Sequence, residues 1–220
     1  GYKTLNVQNA GANAYNVALG YEAGKSISTG VQNTILGGLA GDALTTGSNN
    51  VAIGNNALST EDAHGRNVAI GHNALMTQDA GADAYNIAMG YNAGKLITTG
   101  TQNTIIGGLA GDALTTGMNN VAVGYNALSA EDGDSCNIAI GAHALEDQNA
   151  GATAYNVAVG HAAGRNVTTG VQNTIIGGLA GDALTTGGEN TAIGYEALSG
   201  EDTGSRNTAI GWRALKKLNY

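Results

Sequence analysis

Asn50-Val51-Ala52-Ile53-Gly54-Asn55-Asn56-Ala57-Leu58 is the stretch on which the fold turns. In an extended chain Val51 and Ile53 share one face and Ala52 occupies the other. The run up to Gly54 is uncharged and its second residue is β-branched, which predicts a short strand buried on both faces. Gly54 supplies a turn that a β-branched residue would resist. Two residues then intervene before Ala57, which with Leu58 predicts a second packed position beyond the corner.

The opening five residues of this phrase, Asn-x-x-apolar-Gly, recur twelve times, starting at Asn16, Asn33, Asn50, Asn67, Asn86, Asn103, Asn120, Asn137, Asn156, Asn173, Asn190 and Asn207. The spacings run 17, 17, 17 and 19 residues and then repeat, so a 70-residue unit of four coils occurs three times. Every pentad is uncharged, with Val, Ile or Thr second, and an Ala followed by Leu or Gly comes after every corner. Self-similarity at so short a period predicts an all-β parallel solenoid in which each coil touches its neighbours, a single continuous repeat domain over residues 1–220. A helix needs apolar residues at a 3.6-residue spacing, and these segments lack it. Seventeen residues allow two short strands and two turns per coil, with segments such as Thr45-Thr46-Gly47 turning the chain back. Twelve coils at roughly 4.8 Å each give a rod of about 55–60 Å. The recurrent Asn is expected to form a ladder, each amide donating to and accepting from the amides above and below.

Composition agrees with a thin, repeated core. The chain has 36 glycines, no proline, no phenylalanine and 12% charged residues. Regularly placed aliphatics argue against disorder. The formal charge of -8 has no basic run, Arg213, Lys216 and Lys217 being the one close cluster, so nucleic acid is not an expected partner. No apolar stretch approaches membrane-spanning length, and no membrane partner is expected. The lone Cys136 excludes an intrachain disulfide; it reads as a tolerated small side chain or as a partner for Cys136 of a second copy. Gly1-Tyr2-Lys3-Thr4-Leu5 aligns with Gly71 to Leu75, Gly141 to Leu145 and Gly211 to Leu215, so the chain opens inside a repeat and is expected to be a piece of a longer fibre. The alanine face of so thin a coil needs a cover, which predicts association of several chains about a common axis.

Asn190-Thr191-Ala192-Ile193-Gly194-Tyr195-Glu196-Ala197-Leu198, and the matching run from Asn120 to Leu128, closely resemble repeats of bacteriophage tail-fibre proteins. There the phrase is commonly joined by a Thr-Thr-Gly-Ser-Asn linker, and here Thr45-Thr46-Gly47-Ser48-Asn49 leads into Asn50. The phrase is also similar to the Val-Ala-Ile-Gly repeats in the heads of trimeric autotransporter adhesins, which form left-handed parallel β-rolls. The resemblance covers essentially the whole chain, although the coils here are longer than typical adhesin-head repeats. It implies a left-handed, homotrimeric fibre joined to further fibre segments at its ends. It also implies an extracellular setting, on a virion tail fibre or alternatively a bacterial surface, with a host glycan or protein as partner. Many tail fibres end in a self-cleaving chaperone domain, and no such domain is present in this sequence.

Candidates for chemistry are few. Glu61-Asp62, Glu131-Asp132 and Glu201-Asp202 occupy the same turn of each unit and are expected as solvated acidic turns, four coils or about 19 Å apart and so unable to share a Ca²⁺. Asp42, Asp112 and Asp182 lie in identical Gly-Leu-Ala-Gly-Asp-Ala-Leu-Thr-Thr-Gly segments, where hydrogen bonding to turn amides is expected. Gly37-Gly38-Leu39-Ala40-Gly41 lacks the Lys-Ser/Thr and the helix that a phosphate loop needs. His64, His72, His143 and His161 form no spaced metal set among themselves. No catalytic, cofactor or metal-ligating residue is therefore expected. The residue after each pentad Gly is the candidate receptor-facing position: Tyr21, Tyr91, Tyr125, His161, Tyr195 and Trp212 are rings with an apolar face and a polar edge that suit a sugar, or that pack over the nearby Ala.

Three other functions compete with a fibre shaft or head, and only the last two differ from it in class. A bacterial trimeric adhesin would share its architecture. Ice binding needs an unbroken threonine ladder, whereas Thr-Thr-Gly or Ser-Thr-Gly fills only two of the four linkers in each unit. A glycan-degrading tailspike needs an acidic pair in a groove. The sequence favours a non-enzymatic attachment fibre.

Overall fold

The computed structural model describes residues 1–11, 13–130, 132–200 and 202–217. It is an all-β parallel solenoid, with twelve three-residue strands running from β1 (Val17–Leu19) to β12 (Thr208–Ile210) in one sheet, in sequence order. Each strand pairs with the next in register without slippage. β3 (Val51–Ile53) meets β4 (Val68–Ile70) as Val51 to Val68, Ala52 to Ala69 and Ile53 to Ile70. The 19-residue coils do not disturb this register, because Val68 still meets Ile87 and Ala69 meets Ala88. Their two extra residues are absorbed in the turns.

The pentad glycines explain how coils approach so closely. Each holds a φ between 122° and 146°, which L side chains rarely adopt. A Cβ on Gly124 would lie 2.5 Å from the carbonyl oxygen of Gly141, and the same contact recurs from Gly20 to Gly194. With no side chain in the way, the Gly124 N–H reaches the Ile106 carbonyl at 2.7 Å and continues the ladder beyond the strand.

Among the described residues each coil forms one strand rather than the expected two. The segment after the corner is turned by left-handed residues: Asn56 has φ 56° and Leu58 φ 51°, with Gly41 at φ 49° in the equivalent place one coil earlier. An extended second strand is incompatible with two left-handed residues so close together. The backbone is nonetheless paired between coils here, Leu58 N–H donating to Ala74 C=O at 3.0 Å and Asn56 N–H to Gly38 C=O at 3.1 Å.

The strand is not buried on both faces as expected, but on one. Its central residue points into the coil, and Ala52, Ala69, Ala122 and Ile105 are fully buried. The flanking aliphatics point out and are half-buried or exposed, Val17, Leu19, Ile87, Met89 and Ile210 among the more open. Thus the alanines need no external cover, and the uncovered face is the Val, Ile and Thr one.

The interior is filled from two directions. Ala57 and its equivalents are buried in every coil from Ala23 to Ala197. Leu58, Leu75, Leu128, Leu145 and Leu198 enter directly from the left-handed corner position. Where that position is Gly24, Gly41, Gly94, Gly111, Gly164 or Gly181, the space is taken three residues later by Ile27, Leu44, Ile97, Leu114, Val167 or Leu184. A Cβ on Gly24 would lie 2.8 Å from Ile27 Cδ1, so the glycine makes room for its replacement. Each such side chain contributes on the order of 1.5–3 kcal/mol of burial.

Replacing Gly124 by Ala is expected to destabilise the rod by about 3 kcal/mol or more, adding backbone strain to a clash with fixed backbone. Gly81→Ala, at φ 68° with nothing within 4 Å of the new Cβ, is expected to cost about 1 kcal/mol. Denaturant unfolding of the two variants checks the difference, and equal costs would show that the glycine column does not set the coil spacing.

Candidate functional site

The asparagine ladder is continuous, but it runs through the backbone. From Asn33 to Asn207, the N–H of each pentad Asn donates to Oδ1 of the preceding one at 2.8–3.1 Å. The Nδ2 groups donate to turn carbonyls fourteen residues ahead, as from Asn33 to Gly47 and from Asn120 to Asp134, both at 2.9 Å. A direct amide contact of the expected kind joins Asn190 Nδ2 to Asn173 Oδ1 at 3.1 Å. The backbone route prevails because the pentad Asn follows a left-handed residue, such as Asn49 or Arg66, which turns its N–H toward the neighbouring amide oxygen.

The rule lapses where coils lengthen. Asn67 and Asn137 open the 19-residue coils, and their buried Nδ2 atoms have no partner. The next asparagines gain one: Asn86 Nδ2 donates to Gln78 Oε1 at 2.6 Å and Asn156 Nδ2 to Gln148 Oε1 at 2.7 Å.

The candidate receptor positions all lie on the surface. Tyr21, Tyr91, Tyr125, His161, Tyr195 and Trp212 are exposed, Trp212 to 68%. They form a discontinuous column. Tyr21 stacks on Tyr2 and Tyr91 on His72, each at 5.5 Å between ring centres, while His161 meets His143 edge-on at 6.1 Å. Arg213 lies over the Trp212 ring at 4.3 Å. A second set, Tyr15, Tyr85 and Tyr155, precedes the pentad Asn once per unit and is equally exposed. Their common 70-residue spacing was the available sequence signal for this set.

The acidic positions divide. Asp42, Asp112 and Asp182 are half-buried, and burial raises each carboxyl above its ordinary range while backbone N–H groups in the turn pull the other way. Lys25 approaches Asp42 at 3.4 Å. Cys136 is a free, half-buried thiol at φ 63°. Glu131 and Glu201 lie outside the described residues.

Glu61 departs most from expectation: it is not part of a solvated turn but 0% exposed. The repeat register explains this. Glu61 stands three residues after Leu58, where the glycine-cornered coils place Ile27 and Leu44, and among the described residues that position is buried from Ile27 to Leu184. Gln78 and Gln148 occupy the same inward position and are also fully buried. Alignment of position 61 with Ile27 was the signal that could have revealed it.

The Glu61 corner draws together more than an acidic pair. Glu61 Oε1 accepts from the His64 N–H at 2.9 Å and lies 3.4 Å from His64 Nδ1. Glu61 Oε2 and His64 Nδ1 are both buried without a hydrogen-bond partner. Burial pushes the Glu61 carboxyl above its ordinary range, opposed by the His64 N–H and imidazole. Asp62 and Asp79 complete the cluster, and one donor atom from each of Glu61, Asp62, His64 and Asp79 lies within 4.8 Å of the others. His64 therefore does join a potential ligand set, composed of carboxylates rather than other histidines.

Comparisons of this chain with protein-family models, curated proteins and solved structures return no match.

Asn120→Ala is expected to cost about 2–4 kcal/mol, since it leaves a buried N–H and a buried carbonyl without their partners. Asn137→Ala removes an amide whose Nδ2 is already unpaired, and should cost about 1 kcal/mol less. Chemical denaturation of both variants reads the gap, and a larger loss for Asn137→Ala would overturn the assignment of the carbonyl bond.

Proposed function

We propose that this chain is the shaft or head of a homotrimeric fibre that attaches to a host cell surface, as the resemblance to phage tail-fibre repeats suggests. The observation that carries the reading is the outer face of the sheet. Two positions on each of twelve strands point outward, and none is charged. Their only polar members are Thr34, Thr104, Thr174, Thr191 and Thr208. A contiguous apolar stripe along a whole rod is a surface that soluble monomers avoid and obligate assemblies bury.

Two further copies of the same chain are the cover that matches the stripe in length and pitch. Residues at equal heights then meet equal residues, as closed symmetry requires. The resemblance supplies the number three. Charge placement supports the arrangement, because the inter-coil pairs Arg66–Asp83, Arg165–Glu146 and Arg206–Glu189 all lie off the strand face. Function is then mechanical: a stiff spacer whose exposed corners, from Tyr21 to Trp212, offer rings to a host glycan or protein. Catalysis has no part in this reading. The bacterial adhesin reading shares the same assembly and differs in where the fibre is anchored.

Light scattering without denaturant is expected to give three times the 21.9 kDa of one chain. Val123→Lys, placing a charge in the middle of the stripe, should shift that mass toward a single chain. A stable wild-type monomer would overturn the shared axis, and a mass of two chains would overturn its three-fold order.

A further inference from the structure

We infer that the corner formed by Glu61, Asp62, His64 and Asp79 binds one divalent transition-metal cation, with Zn²⁺ the ion its donors fit best. The inference is independent of the assembly of the fibre and goes beyond its mechanics.

Four donor atoms already converge within 4.8 Å. A tetrahedral cation bound at about 2.0–2.2 Å holds its donors roughly 3.4 Å apart. Glu61 and His64 are held by the fold, whereas Asp62 and Asp79 are exposed and can rotate inward. The His64 main chain is anchored from below, its carbonyl accepting from Asn50 Nδ2 at 3.1 Å. The Asp79 main chain is tied to the next coil, its N–H donating to Thr98 C=O at 2.9 Å.

The buried carboxylate is the decisive feature. Glu61 shares its repeat position with Glu131 and Glu201 of the sister units, and otherwise with Ile, Leu, Val or a fully bonded Gln; its Oε2 has no hydrogen-bond partner. His64 Nδ1, 3.4 Å from Glu61 Oε1, is likewise buried and has no hydrogen-bond partner. Leaving a buried carboxylate oxygen unpaired is costly, and buried charges are ordinarily paired or coordinated to metal. A cation between Glu61 and His64 would satisfy both atoms at once. The imidazole in a carboxylate set favours a first-row transition ion over Ca²⁺ or Mg²⁺, which prefer oxygen throughout.

The other units do not repeat the set. His64 aligns with Asp134 and Gly204, and Asp79 with Asn149 and Asn219. In the second unit the Asp134 carboxylate accepts hydrogen bonds from Gln148 Nε2 and from the N–H groups of Ala150 and Ala152. That corner is closed by the protein's own donors, while the first unit carries metal-type ligands in the same place.

Calorimetric titration of Zn²⁺ into the chelator-treated full chain is expected to show one site per chain and a raised melting temperature. His64→Ala and Glu61→Gln should weaken binding at least tenfold. Asp79→Asn installs the residue that the other units carry, so it should fold normally while weakening binding and reducing the melting shift. His143→Ala and His161→Ala should leave the site intact. Absence of Zn²⁺ binding would overturn the assignment, as would binding that survives both His64→Ala and Asp79→Asn, or that is lost with His143 or His161. Preferential Ca²⁺ binding indifferent to His64→Ala would also overturn it.

Discussion

A glycine carbonyl resting against the glycine of the coil above is the contact on which the rest of the molecule depends. Any side chain there would collide with backbone, which cannot move aside without breaking the stack. Because the column is glycine throughout, the coils close to strand spacing, and short strands pair in register along the rod. The asparagine ladder then becomes possible, since Oδ1 of one coil reaches the N–H of the next only at that spacing. Close approach, strand pairing and amide satisfaction are thus three consequences of one omitted methyl group.

The same constraint leaves the structure one-dimensional. Coils contact their neighbours and little else, so stability adds up along the rod instead of gathering in a central core. Three-residue strands cannot bury much by themselves. Each coil therefore brings one large aliphatic inward, by Leu at the corner or by Ile, Leu or Val three residues later. The strand centre is Ala in most coils; Ile35, Ile105 and Ile175 add a second large aliphatic in three of the six coils whose corner residue is glycine. What the coil cannot do is bury the outward Val and Ile columns, and that residue of unmet burial is what ties the fold to assembly.

The parts of this fold legible in the sequence were those fixed by periodicity. Twelve pentads in register predict twelve strands in order, and the structure contains them. The direction in which each strand faces was not legible from the alternation Val-Ala-Ile, because alternation is unchanged when a strand is turned over. Only the interior filling decides it: with Leu58 arriving from the corner, there is room opposite for Ala52 and none for Val51 and Ile53. The missing second strand has a similar cause, since Asn56 and Leu58 do not announce a left-handed backbone as glycine does. The candidate ring positions were legible as a corner, and they are exposed. The burial of Glu61 was hidden because a charged pair in a turn ordinarily reads as solvated.

In a repeat protein, residues present in every coil are already accounted for by stacking, as the asparagines and glycines are. Specific chemistry has to enter where one unit differs from its sisters, because a feature repeated three times at intervals of about 19 Å cannot converge on one small ligand. The first unit differs at His64, in the coil that precedes a 19-residue one, and at Asp79, within the 19-residue coil opened by Asn67, the asparagine whose amide has lost its usual carbonyl. Lengthened coils thus loosen the hydrogen-bond pattern locally without disturbing strand register, and they give a uniform rod a place to hold residues that the repeat itself would not tolerate.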